Sequence, residues 1–304
     1  MKIRKYIGWL LSGSLLTVSA QPESAPGDGW NVRDHIPLQE VIVQAHRGAG
    51  IPAPESSIEA FEIAWAFGTV PEADVRTTRD GVIVSFHDGT FSRILPDAPE
   101  EMKKKGIQDL TFEEVKTLDI GAWKGAAFEG QRVLSLSGIV ETLRAHPERR
   151  VYVDIKNVDF AQLAKETESV HPQLIIASTH YDELKRWKEV APHSYTLHWM
   201  GGSEAELAER FDRLEKEQFR YVDQLQIHVR IGTDGAFSPG EDFLRRSGER
   251  LRKYGVLYQT FPWECDDADV FRRLMDLGVA SFATDYPDAT MQAIRGYFKD
   301  SKIQ

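Results

Sequence analysis

Six polar side chains follow three short apolar segments, at positions where parallel strands would end. They are His46, Arg47, Glu72, Asp74, Asp154 and Lys156. Residues two apart on a strand face the same side, so Glu72 shares a face with Asp74, and Asp154 shares one with Lys156. Three carboxylates buried together are very costly unless a cation neutralises them. The pattern predicts a cation site.

Oxygen donors in the absence of thiolates suit one divalent cation, Mg²⁺ or Ca²⁺, and Mn²⁺ also fits. In the alternative interpretation the three acids form structural ion pairs with Arg47, Arg76 and Lys156, and no metal binds. Both interpretations stay open at this point, because spacing alone does not separate a metal ligand from a partner in an ion pair.

A second histidine is brought to the same place by a predicted hairpin. Asp80-Gly81 separates two β-rich segments by only a few residues, which is typical of an antiparallel turn. Folding back at this turn places His87 opposite Ala73 and Asp74, at the cross-strand spacing of about 5 Å. Histidine titrates near neutrality, so His46 and His87 are candidates for general acid–base catalysis.

The elements that position these groups alternate along the chain. Nine β-rich segments occur at Val41–His46, Val70–Val75, Val82–His87, Arg150–Ile155, Leu174–Ser178, Ser194–Trp199, Val222–Val229, Val256–Phe261 and Ala280–Thr284. Helical patterns lie between most of them, at Ser57–Phe67, Ala161–Ser169, Tyr181–Val190, Glu204–Lys216, Glu241–Tyr254 and Ala268–Leu277. With Val82–His87 as a return arm, eight parallel strands remain. The predicted fold is α/β: a (β/α)8 TIM barrel with a β-hairpin extension of strand two and a short insertion after it.

The composition along the chain predicts the domain organisation and the cellular compartment. Residues 1–20 combine a basic head, an apolar stretch and a small-residue cleavage site, which predicts a signal peptide and export to the periplasm or the medium. Residues 21–38 are predicted to be a tether, and 39–304 a single catalytic barrel with no stable membrane span after signal cleavage. The net charge of -10 argues against a nucleic-acid partner.

The ordered motifs resemble the glycerophosphodiester phosphodiesterase family. They are His46-Arg47-Gly48, Pro54-Glu55-Ser56-Ser57, Glu72-Ala73-Asp74-Val75, Thr78-Arg79-Asp80-Gly81, His87-Asp88, Asp154-Ile155-Lys156 and Thr284-Asp285-Tyr286-Pro287. The resemblance implies a metal-dependent hydrolase that converts a small glycerophosphodiester to an alcohol and glycerol 3-phosphate. It implies Glu72, Asp74 and Asp154 as metal ligands and His46 and His87 as acid and base, in an order that the sequence leaves open. Arg47 and Lys156 would hold the phosphate.

Three positions depart from the family pattern. Asp154 stands where the family usually has glutamate, and Ser56 stands where it has asparagine. Gln259 replaces a tryptophan, so Trp263 is predicted to supply the aromatic wall from the next loop. His228 shares a strand face with two glutamines and is predicted either to contact the polar head of the substrate or to bond within the barrel. His198 is predicted to be structural.

Two rival functions remain. The first is a phospholipase-type phosphodiesterase acting on intact lipids; the toxins of that kind usually carry disulfides, which a chain with one cysteine cannot form internally. The second is a catalytically silent barrel that binds a ligand, because fold alone does not guarantee activity.

Overall fold

The computed structural model describes residues 31–299. Its strands are β1 Ile42–Ala45, β2 Val70–Thr77, β3 Ile83–Ser85, β4 Val151–Asn157, β5 Leu174–Ser178, β6 Tyr195–Met200, β7 Gln224–Ile231, β8 Phe237–Ser238, β9 Leu257–Pro262 and β10 Ser281–Thr284. Its helices are α1 Val32–His35, α2 Ile58–Phe67, α3 Glu100–Lys103, α4 Phe112–Val115, α5 Leu136–Ala145, α6 Phe160–Thr167, α7 Tyr181–Val190, α8 Glu204–Lys216, α9 Glu241–Tyr254, α10 Ala268–Asp276 and α11 Pro287–Lys299.

Eight of these strands form a closed parallel barrel in the order β1, β2, β4, β5, β6, β7, β9 and β10, and β10 pairs again with β1. Helices connect successive barrel strands, as parallel pairing requires. Strands β3 and β8 lie outside the barrel and pair antiparallel with β2 and β7. The predicted (β/α)8 barrel is confirmed.

Alternation along each strand divides the side chains between two layers. Val43, Ala73 and Val153 point outward and pack with the helices in the main core. Tyr152 and Leu197 belong to a separate buried cluster in the barrel interior. The three acidic candidates, Glu72, Asp74 and Asp154, therefore lie on the inward face of β2 and β4, the same face as Tyr152.

The predicted hairpin is also confirmed. Val75 pairs with Ser85 in antiparallel register, which continued by two residues places His87 opposite Ala73. The backbone N–H of Phe86 donates to the carbonyl of Asp74 at 2.6 Å. The hairpin therefore returns the chain to the carboxyl end of β2, where a barrel carries its active site.

Between β3 and α5 a long segment, residues 86–135, packs around an apolar cluster of its own; we call it the insertion, and it is longer than the short insertion that the sequence predicts. Phe86, Phe91 and Ile107 are fully buried in this cluster, which is distinct from the main core. The insertion ends where Ser135 caps α5 and forms an isolated bridge with Val84. Its packing fixes residues 93, 123 and 124 beside the carboxyl end of the barrel.

Residues before the predicted domain boundary at residue 39 already pack against the barrel. Val32 is completely buried in the main core, and the guanidinium of Arg33 lies 4.9 Å from the centre of the Tyr297 ring. Part of the predicted tether is thus docked on the barrel. The predicted signal peptide and residues 21–30 lie outside the described residues. Within residues 31–299 no helix has the length and apolarity needed to span a membrane.

Candidate active site

The three predicted ligands meet at the carboxyl ends of β2 and β4. Asp74 and Asp154 are direct partners in the parallel register, and Glu72 lies one inward position earlier on β2. One oxygen from each of the three carboxyl groups lies within 4.8 Å of the others, and all three side chains are buried. The three carboxylates therefore converge in the structure, as the sequence predicts.

Lys156 lies against this carboxylate cluster. Its Nζ is 2.7 Å from Asp154 Oδ2 and 3.2 Å from Asp74 Oδ1. Burial, followed by the charge of Asp74, raises the pKa of Asp154 to about 7. Burial and the charge of Asp74 also raise the pKa of Glu72. One lysine therefore does not compensate three buried acids, so the structural ion-pair interpretation accounts for only part of the cluster.

The chain's own contacts leave a place for a cation. Asp74 Oδ2 is buried and has no hydrogen-bond partner among the described residues. Such an orphaned carboxylate oxygen costs free energy unless another group binds it. An all-oxygen donor set with an unsatisfied oxygen fits a hard divalent cation such as Mg²⁺, Ca²⁺ or Mn²⁺. Glu72, Asp74 and Asp154 are the residues that would hold it.

Glu72 is oriented from two sides. Gln44 Nε2 donates to Oε1 at 3.0 Å, and the backbone N–H of Arg47 donates to Oε2 at 3.0 Å. Gln44 belongs to a chain of buried amides, because Gln226 Nε2 donates both to Gln44 Oε1 and to Gln259 Oε1. Gln259, which replaces a family tryptophan, is therefore part of the polar barrel interior and not of the substrate wall.

His46 is held by a carboxylate from the other end of the chain. Its Nδ1 is 2.6 Å from Asp285 Oδ1, and its Nε2 is 3.9 Å from Glu72 Oε2. Burial lowers the pKa of His46, but the hydrogen bond to Asp285 and the charge of Glu72 outweigh burial and raise it overall. Asp285 therefore orients the imidazole, with Nε2 directed to the carboxylate cluster.

His87 belongs to a closed ring of five side chains. Its Nδ1 is 2.7 Å from Asp88 Oδ1, and Asp88 Oδ2 accepts from Arg93 Nε at 2.8 Å. Arg93 donates twice to Glu55, at 2.9 and 2.8 Å. Glu55 accepts from Arg47 Nη1 at 3.4 Å, and Arg47 Nη2 returns to His87 Nε2 at 3.3 Å. We call these five residues the His87 network.

The His87 network fixes the tautomer of His87. A guanidinium only donates, so His87 Nε2 accepts from Arg47 and the ring proton lies on Nδ1, donated to Asp88. Burial alone would raise the pKa of Asp88, but its hydrogen bonds to His87 and Arg93 hold that pKa well below its usual range. Glu55, His87 and Asp88 also have the spacing of a metal site, but the guanidinium of Arg93 joins the two acids there.

Arg93 is expected to position His87 rather than to contact substrate. Arg93→Lys keeps the charge but removes the double donation to Glu55 and the bond to Asp88. We expect kcat to fall about tenfold, equivalent to about 1.4 kcal/mol, with a smaller change in KM. Steady-state kinetics checks this against Arg79→Lys, a matched control whose guanidinium pairs with Glu114 on the surface. A change in KM alone would contradict a positioning role.

The backbone at Ser56 has a conformation that suits the family's asparagine better than serine. It is buried with φ at +65°, in the left-handed region that asparagine tolerates better than serine. We expect Ser56→Asn to raise the free energy of unfolding by about 0.5–1 kcal/mol, and Ser56→Gly to act in the same direction. Thermal denaturation measures this, with the exposed Ser92→Asn as control. Unchanged or lower melting temperatures in both variants would rule out relief of backbone strain.

A cleft of about 280 Å³ opens beside these residues, lined by His46, Arg47 and Glu55 on the barrel side. Trp263 also lines it, with its side chain 40% exposed and stacked on Phe261. Trp263 therefore lies where an aromatic wall of the cleft would be, and its contact with substrate stays a prediction.

His228 lies behind this wall. Its ring stacks on Trp199 at 5.3 Å and lies 5.6 Å from the Trp263 ring, while its Nε2 bonds to Gln226. These contacts favour the structural alternative for His228, although it supports the tryptophan that faces the cleft. His198 points outward from β6 and bonds to the Ser178 carbonyl at 3.1 Å, as the structural interpretation predicts.

Sequence reasoning missed several site residues. Asp285, Glu55, Asp88 and Arg93 were within or beside quoted motifs, yet no role was assigned to them. Asp285 directly follows the last barrel strand, so its place at a carboxyl strand end was an available signal. The partners of Arg93 depend on how the insertion folds, and no local pattern reveals them.

Comparison with known proteins identifies the family and the fold of the chain. A model of the glycerophosphoryl diester phosphodiesterase family matches residues 46–289. A glycerophosphodiester phosphodiesterase of Caldanaerobacter subterraneus is 26% identical, over 84% of this chain and 98% of its own.

Two solved structures share the fold. A glycerophosphodiester phosphodiesterase from Agrobacterium tumefaciens has a TM-score of 0.64 and 23% identity, over 83% of this chain and 99% of its own. A phosphodiesterase from Oleispira antarctica, in complex with the product sn-glycerol-3-phosphate, has a TM-score of 0.63 and 21% identity, over 84% of this chain and 96% of its own. Because the family model matches residues 46–289, well over half of the chain, the chain belongs to the glycerophosphoryl diester phosphodiesterase family, whose members are phosphoric diester hydrolases.

Proposed function

We propose that this chain hydrolyses small glycerophosphodiesters to an alcohol and glycerol 3-phosphate, with a divalent cation and the two histidines. The observation that carries the proposal is the convergence of three buried carboxylates on His46, which lines the cleft. Family membership supports the reaction class, and the Oleispira antarctica structure holds the same product.

Glu72, Asp74 and Asp154 would hold the cation. When bound, it supplies a Lewis acid that offsets the charge on the phosphoryl oxygens of the substrate and in the transition state. The chain adds fixed cations of its own. Arg47 lines the cleft, and its guanidinium is held by Glu55 and His87, so it is positioned before substrate arrives. Lys156 lies on the opposite side of the cluster.

The two histidines differ in how they are held, but each has Nδ1 on a carboxylate and Nε2 directed away from it. In this arrangement Nε2 is the atom that exchanges protons with the substrate, and at His87 the hydrogen bond from Arg47 Nη2 must first be released. One imidazole removes the proton of the neighbouring glycerol hydroxyl as this attacks phosphorus, and the other protonates the leaving alkoxide; water then opens the cyclic diester to glycerol 3-phosphate. Asp285 and Asp88 stabilise the imidazolium that forms in each case.

The test identifies the products. The purified barrel is incubated with glycerophosphocholine, glycerophosphoethanolamine and glycerophosphoglycerol, and phosphorus NMR follows the conversion. We expect the diester signal to be replaced by that of glycerol 3-phosphate. Formation of the phosphorylated alcohol with free glycerol would contradict the proposed bond cleavage, and no conversion in the presence of all three cations would favour a silent barrel.

A lipid substrate is the second candidate, because apolar side chains mark the rim of the cleft. Ile51 and Trp263 both line it and are 55% and 40% exposed. Exposed apolar groups at a pocket mouth are common where acyl chains or other apolar ligands bind. Lysophospholipid micelles compared with the soluble diesters separate the two: a higher kcat/KM for the lipid would favour this candidate.

A further inference from the structure

The outer half of the cleft carries two charged side chains, Lys124 and Glu264, that have no part in the reaction centre. On this side it is lined by Arg93, Trp123 and Lys124 from the insertion and by Glu264 from the loop after β9. A substrate whose phosphate lies at His46 and Arg47 must place its alcohol portion or its glycerol toward these groups. Their charges therefore bear on which alcohols fit.

Most charges around the cleft are already compensated inside the protein. Arg93 is bound to both Glu55 and Asp88, and Asp285 is bound to His46. The ring of Trp123 is also in use, because Arg93 lies 5.3 Å and Lys124 5.7 Å from its centre. A quaternary ammonium group would meet two cations at this ring, so the insertion side of the cleft disfavours choline.

Lys124 is different from the other cations. Its Nζ donates to the backbone carbonyls of Ala53 at 2.5 Å and Gly50 at 3.3 Å, and it has no carboxylate within ion-pair distance among the described residues. Carbonyl oxygens orient the ammonium but do not neutralise it. The half-buried side chain is thus a fixed positive charge facing a pocket, which is the arrangement that selects an anionic group of a ligand.

Glu264 supplies the opposite charge on the same cleft. Its side chain is exposed and forms no ion pair within residues 31–299. Its backbone has φ at +49°, a left-handed conformation that is unusual for glutamate and sets where the side chain leaves the loop. The exposed charge alone would be unremarkable, but the cleft shared with Lys124 places an uncompensated anion and an uncompensated cation in one binding volume.

We propose that the outer cleft selects alcohols of the amino-acid type, which carry a carboxylate beside an ammonium group, as serine does. Lys124 binds the carboxylate, and Glu264 binds the ammonium. The proposal rests on the proposed hydrolysis of glycerophosphodiesters and adds its head-group preference. Ethanolamine satisfies only Glu264, and choline carries a bulky cation without a hydrogen-bond donor, so the expected order is glycerophosphoserine, then glycerophosphoethanolamine, then glycerophosphocholine.

The experiment compares kcat/KM for these three diesters in the wild type and in two variants. We expect the wild type to prefer the serine diester over the ethanolamine diester, and Lys124→Met to lower that ratio about tenfold, as loss of a charge-assisted hydrogen bond does. Glu264→Gln should lower kcat/KM for both the serine and the ethanolamine diesters relative to the choline diester. Lys124→Arg keeps the charge and should retain the serine preference.

Lys116→Met is the matched control, since Lys116 lies on the exposed face of the same insertion and pairs with Glu113. Equal kcat/KM for the three diesters in the wild type would overturn the head-group preference and leave the hydrolysis proposal intact. An equal loss on all three diesters in Lys124→Met would also overturn it, since Lys124 would then only anchor the loop. Absence of hydrolysis of every diester would overturn the reaction proposal and this preference together.

Discussion

Alanine at either His46 or His87 is expected to lower kcat by at least about a hundredfold, the usual loss when a general acid or base is removed. Each variant keeps the partner carboxylate in place: Asp88 still binds Arg93, and Asp285 still directly follows the last barrel strand. The fold should therefore persist, so the loss of rate is not a loss of protein. Steady-state assays with circular dichroism on the same samples measure both.

His146→Ala provides the control, because the His146 side chain is 43% exposed and bonds to Glu148. Added imidazole should partly restore the activity of the His87→Ala variant, since removal of the His87 side chain leaves a space between Asp88 and Arg47. Near-normal turnover in both alanine variants would remove the histidine pair from the mechanism, whatever happened to the metal dependence.

The second large effect concerns Asp154, whose pKa lies near 7 because of burial and the charge of Asp74. Unfolded, the same group titrates near its ordinary value of about 4. Between these values the folded chain binds more protons than the unfolded chain, so the free energy of unfolding of the metal-free protein falls as pH rises from about 4 to 7. At pH 8 the uncompensated carboxylates should therefore destabilise the metal-free protein most.

Asp154→Asn removes one of those charges. We expect the metal-free variant to melt several degrees above the metal-free wild type at pH 8, and the difference to shrink toward pH 4. The variant should also lose most of the rise in melting temperature that Mg²⁺, Ca²⁺ or Mn²⁺ gives the wild type, because a carboxylate donor is gone.

Scanning fluorimetry with and without EDTA across this pH range measures both effects of Asp154→Asn. Asp97→Asn is the control, since Asp97 is exposed on the insertion. A metal-free variant that melts below the wild type at pH 8 would show that the ion pair with Lys156 outweighs repulsion among the acids. An undiminished response to cations would remove Asp154 from the ligand set.

Local rules accounted for much of the fold and for the centre of the site. The Asp80-Gly81 turn gave the register of the hairpin, and the two-residue spacing of Glu72 and Asp74 gave their shared face. Strand ends in a parallel barrel meet at one edge, which brought Asp154 to the same place. Helices α5 and α11 were not identified, although residues 136–145 and 287–299 are amphipathic and pack on the core.

The supporting contacts could not be predicted because they join distant segments. Asp285 reaches His46 across 239 positions, and Arg93 reaches Glu55 across 38 positions. Both depend on barrel closure and on the path of the insertion. Lys156 illustrates a second limit. Its spacing from Asp154 predicts the correct strand face, but the position of its Nζ between two carboxylates is seen only in the folded structure.

The measurement closest to the central claim is the rate of glycerol 3-phosphate release by protein stripped with EDTA, before and after a single divalent cation is added back. We predict no measurable release from the stripped wild type, recovery on addition of Mg²⁺, Ca²⁺ or Mn²⁺, and no recovery in Asp154→Asn at the same concentrations. Full activity of the stripped protein, or equal recovery in the variant, would contradict a reaction centred on the carboxylate cluster.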